Sequence, residues 1–270
     1  MEGFWRCGLL LVLSGCGSAG GCAERPVLPP SSDPELRFEA PDATGWGRAR
    51  GLRYLELLRG GATPQQPLPM VVLIHGRGDR PRPEWLEAIR LELPARVVLP
   101  QAPTPAGDGF SWFPFRLGEN EPSVLARGID EACERLAGAL VALRAARPTL
   151  GKPIVSGFSQ GGMLSFALAL RHPELIEQAI PVAGGLPEPM WPSSPVDRTR
   201  APPIRALHGT ADPVVPFAPT QRLVEHLRAR GYDATLQSFP GVGHAIAPEM
   251  LPPLQAHLTA AVASIKASAQ

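Results

Sequence analysis

Gly157-Phe158-Ser159-Gln160-Gly161 is the stretch from which the fold of this 270-residue chain is read. It is preceded by the apolar run Pro153-Ile154-Val155-Ser156, which predicts a strand. It is followed by 160–171, a predicted helix stopped at Pro173. A serine with glycines two before and two after it, between a strand and a helix, is the pattern of a sharp strand-to-helix turn. Side chains at the flanking positions would collide across so tight a turn, and glycine removes the collision. The hydroxyl then stands at the carboxyl edge of a sheet and at a helix N-terminus, whose dipole favours developing negative charge.

Outward from the turn the alternation repeats. Toward the N-terminus, 53–58 predicts an early edge strand, and Met70-Val71-Val72-Leu73-Ile74 a strand buried on both faces. A helix is expected over 83–93, a strand over 96–99, and a long helix over 121–147, with Val124, Leu125, Ile129, Ala132, Leu136, Leu140 and Leu143 as its apolar stripe. Toward the C-terminus come strands at 178–183, 204–208 and 234–239 and helices at 216–230 and 248–265, with a Pro-rich surface loop over 186–203. Strands alternating with helices predict an α/β fold, a mostly parallel twisted sheet with helices on both faces. In such a sheet the chemistry gathers at the carboxyl ends of the strands.

A serine hydroxyl needs a base to become a nucleophile. Of the six histidines, His172, His226 and His257 fall in predicted helices, and His75 and His208 end strands. His244, in Gly241-Val242-Gly243-His244-Ala245, follows a strand and precedes the last helix. Asp212 follows the 204–208 strand in His208-Gly209-Thr210-Ala211-Asp212-Pro213. The order Ser159, Asp212, His244 is that of the α/β-hydrolase fold, not that of chymotrypsin or subtilisin. The expected roles are Ser159 as nucleophile, His244 as general base and then acid, and Asp212 as the group orienting the imidazole. A tetrahedral intermediate needs two N–H donors. The expected pair is Gln160, next after the serine, and Arg77, in the glycine-bearing loop His75-Gly76-Arg77-Gly78-Asp79.

With these segments in order, the chain resembles the phospholipase/carboxylesterase family of α/β-hydrolases, which includes acyl-protein thioesterases. The resemblance rests on Leu73-Ile74-His75-Gly76-Arg77-Gly78-Asp79, Ser111-Trp112-Phe113, Gly157-Phe158-Ser159-Gln160-Gly161-Gly162, His208-Gly209-Thr210-Ala211-Asp212-Pro213-Val214-Val215-Pro216 and Gly243-His244. It implies carboxylic-ester hydrolysis through an acyl-enzyme, without metal or cofactor, on a small-molecule or lipid ester; thioesters, lysophospholipids and polyesters stay open as substrates. It also implies that Trp112 lies near the acyl site. Arg77 stands where the family often carries leucine, which puts a cation beside the site. With no helical lid legible in 186–203, this points to short to medium acyl esters. Two other readings stay open: a non-catalytic binding module of the cell envelope, and a serine hydrolase for another acyl bond.

Composition narrows the classes further. Twenty-six Lys+Arg stand against 25 Asp+Glu, so nothing suggests a nucleic-acid binder. Four cysteines do not make a disulfide scaffold. Arg6 precedes the apolar run 7–13, too short to span a bilayer but of signal-peptide length. It ends in Leu13-Ser14-Gly15-Cys16, which resembles the lipobox of bacterial lipoproteins. The expected organisation is a signal peptide over 1–15, lipidation at Cys16, a flexible tether over 16–37 and a catalytic domain over 38–270, exported and held to the cell envelope membrane. Cys133 is expected to be a small buried hydrophobe rather than a partner of Cys22.

Overall fold

The structure is a computed structural model and describes residues 37–114, 121–197 and 201–269. The leader over 1–15, Cys16, Cys22 and all of the 16–37 segment but its last residue lie outside the described residues.

Strand β4 (Leu68–Ile74) is buried along its whole length. Met70, Val72 and Ile74 point to one face of the sheet and Val71 and Leu73 to the other, so the apolar run feeds two cores. Around it lie β1 (Phe38–Glu39), β2 (Trp46–Ala49), β3 (Leu52–Arg59), β5 (Ala95–Pro100), β8 (Thr149–Phe158), β9 (Gln178–Val182), β10 (Ile204–Gly209) and β11 (Ala234–Phe239), in the order β1-β2-β3-β5-β4-β8-β9-β10-β11. From β5 to β11 every pairing is parallel; β1, β2 and β3 join antiparallel at one end. A separate two-stranded hairpin is made by β6 (Thr104–Ala106) and β7 (Gly109–Ser111).

Helices α2 (Pro122–Ala146), α3 (Gln160–Arg171) and α4 (Phe217–Ala229) cover one face, and α1 (Glu84–Ile89) and α5 (Leu251–Ser268) the other. Proline opens α2, where its missing N–H goes unmissed. Buried residues then recur at Ala126, Ile129, Cys133, Leu136, Leu140 and Leu143. Val124 falls one position off that stripe and is 47% exposed. Cys133 is fully buried and free, and burial pushes its thiol up, so it is a packing residue. No helix among the described residues is long and apolar enough to cross a membrane.

Three expectations change. The 53–58 segment is not an edge: β3 pairs with β5 on one side and β2 on the other. The missed strands β1 and β2 are two and four residues long, too short for a period to show. Helix α1 stops at Ile89, because Arg90 takes the left-handed conformation (φ 51°, ψ 50°). The closing helix starts later than expected, at Leu251, after a 3-10 turn over Pro248–Met250, and runs on to Ser268.

Glu56 on β3 explains how a charged strand is held inside the sheet. Its side chain is 6% exposed, and its two oxygens accept from Arg96 Nη1 (2.7 Å) and Arg147 Nε (3.0 Å). The Arg96 side chain is fully buried and also donates to the Pro64 carbonyl at 2.9 Å. A buried charge is tolerated when it is paired and hydrogen-bonded.

Candidate active site

Ser159 sits at the turn between β8 and α3 with φ 57° and ψ −115°, a conformation that L-residues rarely hold. Its amide donates to Val182 O at 3.0 Å, tying the turn to β9. The two flanking glycines are a matter of space. A Cβ on Gly161 would lie 2.0 Å from Ile74 O, and one on Gly157 would lie 2.5 Å from the Gly161 carbonyl carbon.

Asp212 lies beyond the carboxyl end of β10, and its carboxylate is fully buried. Oδ1 accepts from the amides of Val214 (2.8 Å) and Val215 (2.9 Å), which fixes the carboxylate plane. The β10 and β11 loops are stitched together by Thr210 N to Phe239 O and Ala211 N to Val242 O, each 3.0 Å, and by Gly241 N to Thr210 Oγ1, 3.0 Å. That stitching carries His244 over Asp212. His244 Nδ1 is 2.7 Å from Asp212 Oδ2, and His244 Nε2 is 2.9 Å from Ser159 Oγ. The structure therefore brings together three side chains that the sequence separates by 85 positions from serine to histidine. A hydroxyl bonded to an imidazole, itself bonded to a buried carboxylate, can release its proton to the ring and recover it.

Four of the other histidines have partners of their own. His75 Nε2 accepts from the Ala102 amide at 3.0 Å, so Nδ1 carries the proton and donates to Gly76 O at 2.7 Å. His208 is buried, lies 2.8 Å through Nε2 from Val215 O and 3.4 Å from Asp212 Oδ2. Burial pushes both rings below the ordinary histidine value. His172 faces Glu134 at 2.9 Å, and His226 donates to Pro192 O at 2.9 Å.

Gln160 opens α3, so its N–H has no intrahelical acceptor and is free beside Ser159. The Arg77 amide has no protein acceptor among the described residues, while its neighbours Gly78 N and Asp79 N are bonded to Phe110 O and Gly76 O. Trp112 departs from expectation. It is 4% exposed, and its indole N–H donates to His75 O at 2.9 Å. Buried against the His75 ring, it offers a substrate little surface and instead pins the loop that carries Arg77. The Gln160 side chain was missed. It accepts from the Trp112 amide (3.0 Å) and donates to Phe113 O (2.8 Å), locking the segment after β7 to the start of α3. The signal available was Ser111-Trp112-Phe113 itself, which reads as a site residue with neighbours until the partner across the fold is known. Phe158 was also passed over: its ring lies 4.8 Å from the His244 ring.

The model of the phospholipase/carboxylesterase family matches residues 61–262. Among curated proteins, the chain is 31% identical over 108 residues to acyl-protein thioesterase 1 of Gibberella zeae, covering 39% of this chain and 46% of that one. It is 30% identical over 148 residues to the carboxylesterase SOBER1 of Arabidopsis thaliana, covering 50% and 61%. The chain thus spans about half of the length of these curated relatives. Among solved structures, the esterase PE8 superposes with a TM-score of 0.63 at 28% identity, covering 74% of this chain and 97% of that one. With a family match that takes in β4 through most of α5, and with a mostly parallel sheet carrying serine, aspartate and histidine in that order, this chain belongs to the phospholipase/carboxylesterase family of α/β-hydrolases.

Proposed function

We propose that this chain is a serine esterase that hydrolyses short to medium acyl esters through an acyl-enzyme on Ser159. The observation that carries the reading is the unbroken path from Ser159 Oγ to His244 Nε2 (2.9 Å) and from His244 Nδ1 to Asp212 Oδ2 (2.7 Å). In this reading His244 takes the hydroxyl proton as Ser159 attacks the ester carbonyl, and Asp212 stabilises the imidazolium. The amides of Gln160 and Arg77 receive the oxyanion. His244 then protonates the leaving alcohol, and a water repeats the steps in reverse to release the acid.

An apolar cleft of about 180 Å³, lined by Leu125, Met163, Leu186, Val214 and Pro219, supports the acyl assignment. Its size favours short to medium chains, and Leu186 and Pro187 bring the start of the Pro-rich loop to its rim. A fluorophosphonate probe should label the wild-type chain at Ser159 and leave Ser159→Ala unlabelled. Equal labelling of both would remove the assignment.

The N-terminal pattern supports export as a lipoprotein anchored to the envelope membrane through Cys16. Cys16→Ser should abolish incorporation of labelled fatty acid and release the enzyme from the membrane fraction; unchanged labelling would refute the anchor.

A further inference from the structure

A second apolar cavity, of 280 Å³, lies on the opposite face of the sheet from the acyl cleft, between α1 and the start of α5. Its floor is the apolar core of that face, at Leu73, Ile89, Val182 and Leu254. Trp85, Ala88 and Ile246 form its outer rim, and Ile246 is 43% exposed, one of few large apolar side chains left facing solvent among the described residues. The cavity is almost as large as an ordinary small-molecule pocket, about 300 Å³ and upward. Its one carboxylate, Asp79, is already held by the Arg80 amide and Arg82 Nε, each 2.8 Å away.

The inner wall joins this cavity to the reacting groups. Gly76 and Phe158 line it. A methyl group built on Gly76 would lie 3.3 Å from both Ser159 Cβ and Phe158 Cδ1, so only a glycine's thickness separates cavity and nucleophile there. The Phe158 ring also lies against His244, with centroids 4.8 Å apart and the rings tilted by 37°. Ile246 at the mouth is two residues beyond His244. The cavity thus adjoins the histidine.

That position decides the occupant. The histidine that protonates the leaving oxygen must be within hydrogen-bond reach of it. Whatever is attached to that oxygen therefore extends on the His244 side, while the acyl chain extends away from it. We infer that the α1–α5 cavity is the subsite for the alcohol half of the ester and selects alkyl or aryl alcohols of several carbons. The inference rests on the esterase reading above. It makes the enzyme selective on both sides of the scissile bond, with one apolar pocket on each face of the sheet.

Two substrate series test it on the full chain: acetates of methanol, butanol and hexanol, and p-nitrophenyl esters from acetate to hexanoate. In the wild type, kcat/KM should climb along the alcohol series, by up to roughly fourfold for each methylene buried. Ala88→Trp, on an exposed helix position, narrows the cavity, and Ile246→Asp charges its mouth. Each should lower the hexyl-to-methyl ratio of kcat/KM about tenfold, and leave the hexanoate-to-acetate ratio of the acyl series in place. Val141→Trp, on the solvent side of α2 across the sheet, should keep the wild-type hexyl-to-methyl ratio. A hexyl-to-methyl ratio unmoved by both cavity variants overturns the subsite, as does a loss confined to the acyl series. If the wild type turns over no ester and Ser159 takes no fluorophosphonate, the esterase reading itself fails. A labelled, active enzyme with a flat alcohol series overturns the subsite alone.

Discussion

The Trp112 side chain touches the loop that carries Arg77 through the His75 carbonyl, to which its indole N–H donates at 2.9 Å. Trp112→Phe keeps an aromatic side chain but removes that donor, and on the proposed mechanism the Arg77 amide then loses its aim at the oxyanion. The expected result is a kcat about tenfold to a hundredfold lower with KM near the wild-type value, since losing an oxyanion donor outright costs about 10²–10³. A raised KM with unchanged kcat would return Trp112 to the substrate. Ser159→Ala and His244→Ala should each lower kcat/KM by about 10³ or more in a folded protein, measured with p-nitrophenyl acetate. Asp212→Asn, its oxygen still held by the Val214 and Val215 amides, turns an N–H donor toward His244 Nδ1 and fixes the wrong tautomer, so kcat should fall by about 10³–10⁴. These three positions were legible because a serine, an aspartate and a histidine each fall at a strand's carboxyl end in a recognisable order. Trp112 was legible as a position but not in its task. An indole's partner is set by tertiary contact, and the His75 carbonyl carries no mark in the sequence. The same holds for the Gln160 side chain, which binds a segment 47 residues away.

At the scale of elements, the strands and helices with clear periods were foreseen nearly to the residue, α3 and β11 among them. What failed lay where period is absent: β1 and β2, the β6–β7 hairpin, and the interior place of β3. The alternation over 53–58 suggested an edge strand, whereas the Glu56 carboxylate sits inside the sheet because it has partners. The partners, Arg96 and Arg147, come from β5 and the residue after α2, 40 and 91 positions away. Glu56→Ala should therefore destabilise the fold by about 3–5 kcal/mol, because it strands the buried Arg96 guanidinium. Urea unfolding measures this, and a loss under about 1 kcal/mol would mean that Arg96 finds water or another acceptor.

For the molecule as a whole, acid sensitivity follows from two buried imidazoles. Burial holds His75 and His208 below the ordinary histidine value of 6.5, so both are neutral in the folded chain and regain that value when it unfolds. As pH falls below 6.5, the unfolded chain takes up protons that the folded one refuses. Their contribution is complete above that pH and is lost on the way down, by up to about 1.4 kcal/mol per pH unit for each ring. The urea midpoint should fall between about pH 7.5 and about pH 5, and His208→Gln should flatten the fall; a midpoint level over that range would contradict neutral burial. The turn at Ser159 carries a different consequence. Its φ of 57° and ψ of −115° suit glycine, and any other residue there is held by the surrounding sheet and helix at a cost of about 1–3 kcal/mol. Ser159→Gly should therefore melt higher than the wild type, while Ser159→Ala, equally lifeless, should not. On the proposed mechanism, the change that most relaxes this turn is also one that removes the nucleophile. A glycine there would leave a tougher but silent copy of the fold.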